Sequence, residues 1–190
     1  MPLEQIRRQF DTNVIGLACL TQLVLPGMRR QGWGKIVNLS SMGGRLTLPG
    51  GGFYHATKYA VEALSDALRF EVRPFGIDVV VIEPGPIKTR FGDTAQNSLQ
   101  GLDADKSPYR SLNAIVARRI REAYDGPMAM FAGNPQAVAR VIEKAITVRR
   151  PRTRYPVTLA ARTLMGLRRW LPDRAFDAFL ATQFRPPAAR

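Results

Sequence analysis

The sequence has 190 residues, 45% hydrophobic and 23% charged, which is the composition of a single globular domain with a substantial core. Its net charge is +13, yet the basic residues are spread over several elements and accompany no zinc-finger spacing, basic zipper or aromatic RNA-binding motif, so no nucleic-acid partner is expected. No run approaches the ~20 apolar residues of a bilayer span, and no metal site is expected. The single cysteine excludes an internal disulfide and points to a reducing cytoplasm, with Cys19 read as a small buried hydrophobe.

From Leu3 to Met28 the apolar residues Ile6, Phe10, Val14, Leu17, Leu20, Val24 and Met28 step by three or four, which predicts one helix that Pro26 kinks or ends. Lys35 to Ser40 reads as a short strand. Tyr54 to about Pro74 carries Ala60, Ala63, Leu64, Ala67 and Leu68 at helical spacing, with Pro74-Phe75-Gly76 as the stop. Ile77 to Glu83 holds four consecutive apolar residues, as in a parallel strand covered on both faces. The alternation of helix and strand predicts an α/β fold with a parallel sheet. Lys88 to Ser107 is polar and aperiodic, a long functional loop. Helices follow at Tyr109–Tyr124 and Pro135–Val148, then a strand near Thr153–Leu159, then one or two amphipathic helices over Ala160–Phe184 broken at Pro172.

Tyr54 and Lys58 lie four apart on the predicted helix, so their side chains share a face one turn apart. An ammonium beside a phenol favours the phenolate, which lets the tyrosine exchange a proton with a bound alcohol nearer neutral pH. By itself a Tyr-x-x-x-Lys spacing is common. Its context is specific: Ser40-Ser41 closes the first strand, and Ser41 precedes Tyr54 by 54 − 41 = 13 positions.

Four segments, in order, resemble the short-chain dehydrogenase/reductase family. They are Asn13-Val14-Ile15-Gly16, Asn38-Leu39-Ser40-Ser41, Tyr54-His55-Ala56-Thr57-Lys58 and Pro84-Gly85-Pro86-Ile87-Lys88-Thr89. The resemblance implies that Tyr54 is the general acid or base and that Ser41 binds the substrate oxygen. It implies that Lys58 lowers the Tyr54 pKa and holds the nicotinamide ribose, and that Asn13, through a distorted helix, places a relay water. Pro84, Gly85, Ile87 and Thr89 would line the nicotinamide of a bound NAD or NADP, whose chemistry the protein positions and polarises. Spacing favours Ser41 over Ser40 as the catalytic hydroxyl. His55, about 100° from Tyr54 around the helix, is taken as structural or incidental. Gly43, Gly44 and Gly50-Gly51-Gly52 are read as tight bends of a substrate loop.

The glycine-rich strand-turn-helix that holds a pyrophosphate in such folds has no counterpart in this sequence, nor does the family's Asn-Asn-Ala-Gly strand. The expectation is therefore a partial Rossmann-like, doubly wound sheet with its N-terminal strands missing, a single incomplete domain over residues 1–190, and a truncated gene model as its origin. Activity of the chain alone would then be impaired. Leu159, Leu164, Leu167, Trp170, Leu171, Phe176 and Phe179, with Arg150-Pro151-Arg152-Thr153-Arg154-Tyr155, resemble the hydroxysteroid and retinol dehydrogenase branch and imply a lipophilic alcohol or carbonyl. Two further expectations compete. One is a non-catalytic remnant that acts through protein association, as the family's homodimers and homotetramers pair the helices at Leu3–Met28 and Tyr54–Pro74. The other is peripheral membrane contact through Arg162, Arg168, Arg169 and Trp170.

Overall fold

The computed structural model describes residues 1–94, 108–124 and 126–185. The chain begins with α1 (Leu3–Phe10), which passes through a π-helical segment, Asp11–Ile15, into α2 (Gly16–Gln31). Strand β1 (Gly34–Leu39) leads to α3 (Gly52–Val72), and β2 (Ile77–Glu83) follows. After it come α4 (Arg110–Tyr124), α5 (Pro135–Thr147), β3 (Arg154–Pro156), α6 (Leu159–Trp170) and α7 (Asp173–Gln183).

The three strands are parallel in the order β1-β2-β3. Gly34 stands opposite Ile77 and Leu39 opposite Ile82, while Val81 pairs with Arg154. Side chains alternate across a strand, so β2 feeds two cores. Ile77 and Val79 join Ile36 and Val72, with Leu25, Met28 and Leu68 of the helices on that side. Val80 and Ile82 face the other way, onto Ala145, Val138, Val141 and Ile142 of α5. The sheet is thus covered on both faces, the Rossmann-like arrangement expected from the apolar run in β2.

Several expectations need correction. Pro26 does not end the first long helix; α2 continues to Gln31, with Leu25 and Met28 on either side of it packed into the core, and Gly32 at φ 69° closes it. Cys19 is exposed rather than buried, since it stands on the outward side of α2 with Leu20 and Leu23. The last strand is shorter than Thr153–Leu159: Thr158 caps α6 through its side chain and Leu159 already belongs to that helix. Of the long loop after β2, residues 91–94 form one helical turn and 95–107 lie outside the described residues. Of the C-terminal apolar set, Phe176 is buried whereas Leu159 and Trp170 are 63% and 82% exposed.

Candidate active site

The C-terminal ends of β1 and β2 build one side of the site. Ser40 extends the sheet by donating its N–H to Ile82 O at 2.9 Å, and its hydroxyl turns inward, buried without a hydrogen-bond partner among the described residues. Alternation then turns Ser41 the other way. Its Oγ accepts the Gly43 N–H at 3.0 Å, which caps the turn Met42–Gly44, and reaches Pro84 O at 3.4 Å. Pro84 O also accepts the Met42 N–H at 2.8 Å, so the serine loop and the Pro84–Thr89 segment are fastened together.

Helix α3 supplies the other side. Tyr54 lies within the influence of the Ser41 hydroxyl, and its ring lies 5.2 Å from that of Phe91. Lys58 Nζ stands 5.9 Å from the Tyr54 ring centroid and donates to Leu39 O at 2.9 Å. Burial pushes the Tyr54 phenol up, and it is the Ser41 hydroxyl, in place of the expected Lys58, that pulls against it. Burial pulls the Lys58 ammonium down, and the charge of Glu62, one turn further along α3, opposes that.

Asn13 lies inside the π-helical segment, the local distortion that the family resemblance implied. Its Nδ2 donates to Thr57 Oγ1 at 3.1 Å, and Thr57 Oγ1 donates to Tyr54 O at 2.7 Å. Asn13 thus touches α3 between the tyrosine and the lysine. Pro84 is buried, Gly85 and Ile87 are partly so, and Thr89 is exposed at the rim. Any side chain at position 85 would collide with the Thr158 hydroxyl that caps α6.

His55 is structural, one of the two roles expected for it. The imidazole is 7% exposed, its Nδ1 pairs with Gly43 O at 3.0 Å, and its Nε2 accepts the Leu48 N–H at 3.2 Å. An Nε2 that accepts and an Nδ1 that donates describe the neutral ring, and burial holds its pKa below the usual value. His55 staples the serine loop onto α3. The glycines flanking it were the available signal: a Cβ at Gly43 or Gly51 would come within 2.5 or 2.8 Å of the ring. Tyr124, at the end of α4, was missed; it covers Gly92 beside a cleft of about 530 Å³, and burial and the nearby Tyr54 push its phenol up to about 12.

The sequence model described as short chain dehydrogenase matches residues 1–100, just over half of the chain. The chain belongs to the short-chain dehydrogenase family. The uncharacterized oxidoreductase YbbO of Escherichia coli is 41% identical over 176 residues, covering 93% of this chain and 59% of that protein. The 17-beta-hydroxysteroid dehydrogenase type 6 of Rattus norvegicus is 36% identical over 191 residues, covering 94% and 57%. Among solved structures, a short-chain dehydrogenase from Streptomyces avermitilis superimposes with a TM-score of 0.70 at 30% identity, covering 96% of this chain and 61% of that one. A family member from Burkholderia phymatum in complex with NAD gives 0.64 at 26% identity, covering 95% and 60%. This short-chain dehydrogenase chain therefore spans about three fifths of the length of these relatives.

Proposed function

We propose that this chain forms the catalytic part of an oxidoreductase that moves hydride between NAD or NADP and the carbon of an alcohol or carbonyl. The observation that carries the reading is the gathering of Ser41, Tyr54 and Lys58 at the mouth formed by the two strand ends, with Ser41 acting on the Tyr54 phenol and the Lys58 ammonium 5.9 Å from its ring. Lys58 fits a nicotinamide ribose by its donors: one N–H is used on Leu39 O, and two remain for sugar hydroxyls beside a residue that is half exposed. When bound, the nicotinamide accepts or supplies the hydride.

The chain's own residues handle the oxygen and its proton. Ser41 holds the substrate oxygen, and Tyr54 takes the proton from an alcohol or gives one to a carbonyl oxygen. Lys58 favours the phenolate and holds the ribose, while Asn13 supports the turn between them through Thr57. Pro84, Gly85, Ile87 and Thr89 line the nicotinamide side. A lipophilic substrate is supported by Phe91 on the Tyr54 ring, by exposed Phe131 and Met130, and by the rat relative, whose name describes a hydroxysteroid dehydrogenase.

A homodimer or homotetramer is supported by the outward faces of α2 and α3, where Leu20, Leu23 and Phe70 are 63%, 78% and 76% exposed. Among the described residues no helix is long and apolar enough to cross a membrane. Exposed Trp170 beside Arg169 favours a secondary reading of peripheral membrane contact, which vesicle sedimentation tests. A cytoplasmic setting rests on the lone free Cys19.

The test is absorbance at the reduced-nicotinamide band with the full-length protein, NAD(H) and NADP(H) in turn, and a panel of steroids, retinoids, long-chain and short polar alcohols and carbonyls. Turnover with one cofactor and preference for the lipophilic compounds is the expected result. No turnover with any pair would leave the association-only reading.

A further inference from the structure

The segment Arg150–Tyr155 has no part in the site described above, yet one of its residues reaches across the fold to the element that carries the site. Arg154 opens β3, and its guanidinium contacts three carboxylates. Nε lies 3.0 Å from Glu62 Oε2 and 3.4 Å from Glu83 Oε1, and Nη2 lies 2.7 and 2.6 Å from the two oxygens of Asp66. Glu62 and Asp66 follow Lys58 at four and eight positions along α3, so all three lie in one row on that helix. Glu83 ends β2 immediately before Pro84, whose carbonyl holds the serine loop.

We propose that Arg154 is a positioning residue for Lys58: by bridging Glu62 and Asp66 on α3 to Glu83 on β2, it fixes the helix bearing Tyr54 and Lys58 against the strand end bearing Pro84. The inference deepens the proposed oxidoreductase reading and rests on it for its kinetic consequence.

The charges require such a clamp. Glu62 and Glu83 are 4% and 2% exposed, and each leaves Oε1 without a hydrogen bond among the described residues. Buried carboxylates are tolerated only when paired. Asp66 has a second cation, because Arg69 Nη1 lies 2.6 Å from Oδ1 while its Nε donates to Val79 O at 3.0 Å. Glu83 feels Arg45 as well, from the loop after β1. Glu62 has Arg154 on one side and the Lys58 ammonium on the other. Without Arg154, Glu83 keeps its proton to higher pH, and the charged Glu62 turns to Lys58, which draws that ammonium away from Leu39 O and the ribose position. A lysine at 154 keeps the charge but cannot form the fork that spans helix and strand.

The experiment compares R154M, R154K and R154M/E62Q in the full-length protein. R154M is expected to lower kcat about 10- to 100-fold, with KM for the alcohol or carbonyl changed less than threefold and KM for the cofactor raised, the signature of a misplaced Lys58 rather than a lost substrate contact. R154M/E62Q, which removes the carboxylate that draws Lys58 away, should recover at least a third of the wild-type value, and R154K should fall between. The activity-free readout is the ε-carbon resonance of Lys58 in protein labelled with ¹³C-lysine, assigned through K58R. It should move in R154M and return toward its wild-type position in R154M/E62Q. If R154M does not fold, R154K and the double variant carry the same comparison, with the Lys58 resonance displaced in R154K. An unmoved Lys58 resonance in the folded variants, or a loss of kcat that the double variant leaves unrelieved, overturns the proposal. A wild-type protein without turnover would overturn the oxidoreductase reading alone, since the resonance still judges the clamp.

Discussion

The hydroxyl of Ser41 stands close enough to the phenol of Tyr54 to pull its pKa down against burial, while the hydroxyl of its neighbour Ser40 is buried against Gly44 on the opposite side of the chain. Extended backbone sends consecutive side chains to opposite faces, so only one of the two can meet the helix that carries Tyr54. Ser41→Ala is accordingly expected to cost about 10²-fold or more in kcat. Ser40→Ala should stay within a few fold, because it removes an unpartnered hydroxyl. Steady-state rates of the two variants check this, and the reverse pattern would assign the catalytic hydroxyl to Ser40.

Lys58→Met removes the ammonium and its donors while keeping the aliphatic stem. The affinity for the nicotinamide cofactor should fall about 10- to 100-fold, the weight of one charge-assisted hydrogen bond. The pH-rate profile should move to higher pH, since burial already pushes the Tyr54 phenol up and the nearest cation would be gone. Calorimetric titration and the pH-rate profile must change together; either one alone would place Lys58 outside the site.

Glu83 gives the fold a pH dependence of known sign. Burial, with the charge of Glu62 adding to it, raises its pKa from 4.5 to about 7 against the pull of Arg154 and Arg45. The folded state therefore binds its proton more tightly than the unfolded state. Its contribution is full below pH 4.5 and is lost as pH rises to about 7, by an amount on the order of 3 kcal/mol at 1.36 kcal/mol per pH unit. Thermal melting of Glu83→Gln should be nearly flat where the wild type declines across that window. An equally steep decline in the variant would contradict it.

His55 acts in the opposite direction. Its pKa is held below 6.5, so the stability it contributes is present above that pH and is lost as pH falls through the depressed value. His55→Ala strands Gly43 O and Leu48 N–H and should cost about 2 to 4 kcal/mol, read as a lower Tm and faster proteolysis between Gly43 and Gly51. A variant as stable and as protected as the wild type would reduce His55 to a bystander.

The elements were largely legible because each carries its own local pattern. The apolar run of β2 and the breaker at Pro74-Phe75-Gly76 mark boundaries that the structure keeps, within a residue or two. Four short motifs in order were enough to gather Asn13, Ser41, Tyr54 and Lys58. What escaped depends on distant partners. Nothing near position 154 points to Glu62, 92 residues earlier. Pro26 misled as a stop: α2 continues past it, with Leu25 and Met28 around it packed into the core.

The most direct test is Tyr54→Phe in the full-length protein. The ring keeps its packing against Phe91 and His55, and only the exchangeable proton is removed. Turnover with the best alcohol or carbonyl should fall about 10²- to 10⁴-fold, with an unchanged Tm and cofactor affinity within threefold. Activity within twofold of the wild type would contradict the assignment of Tyr54 as the proton-transferring residue, and with it the proposed oxidoreductase mechanism.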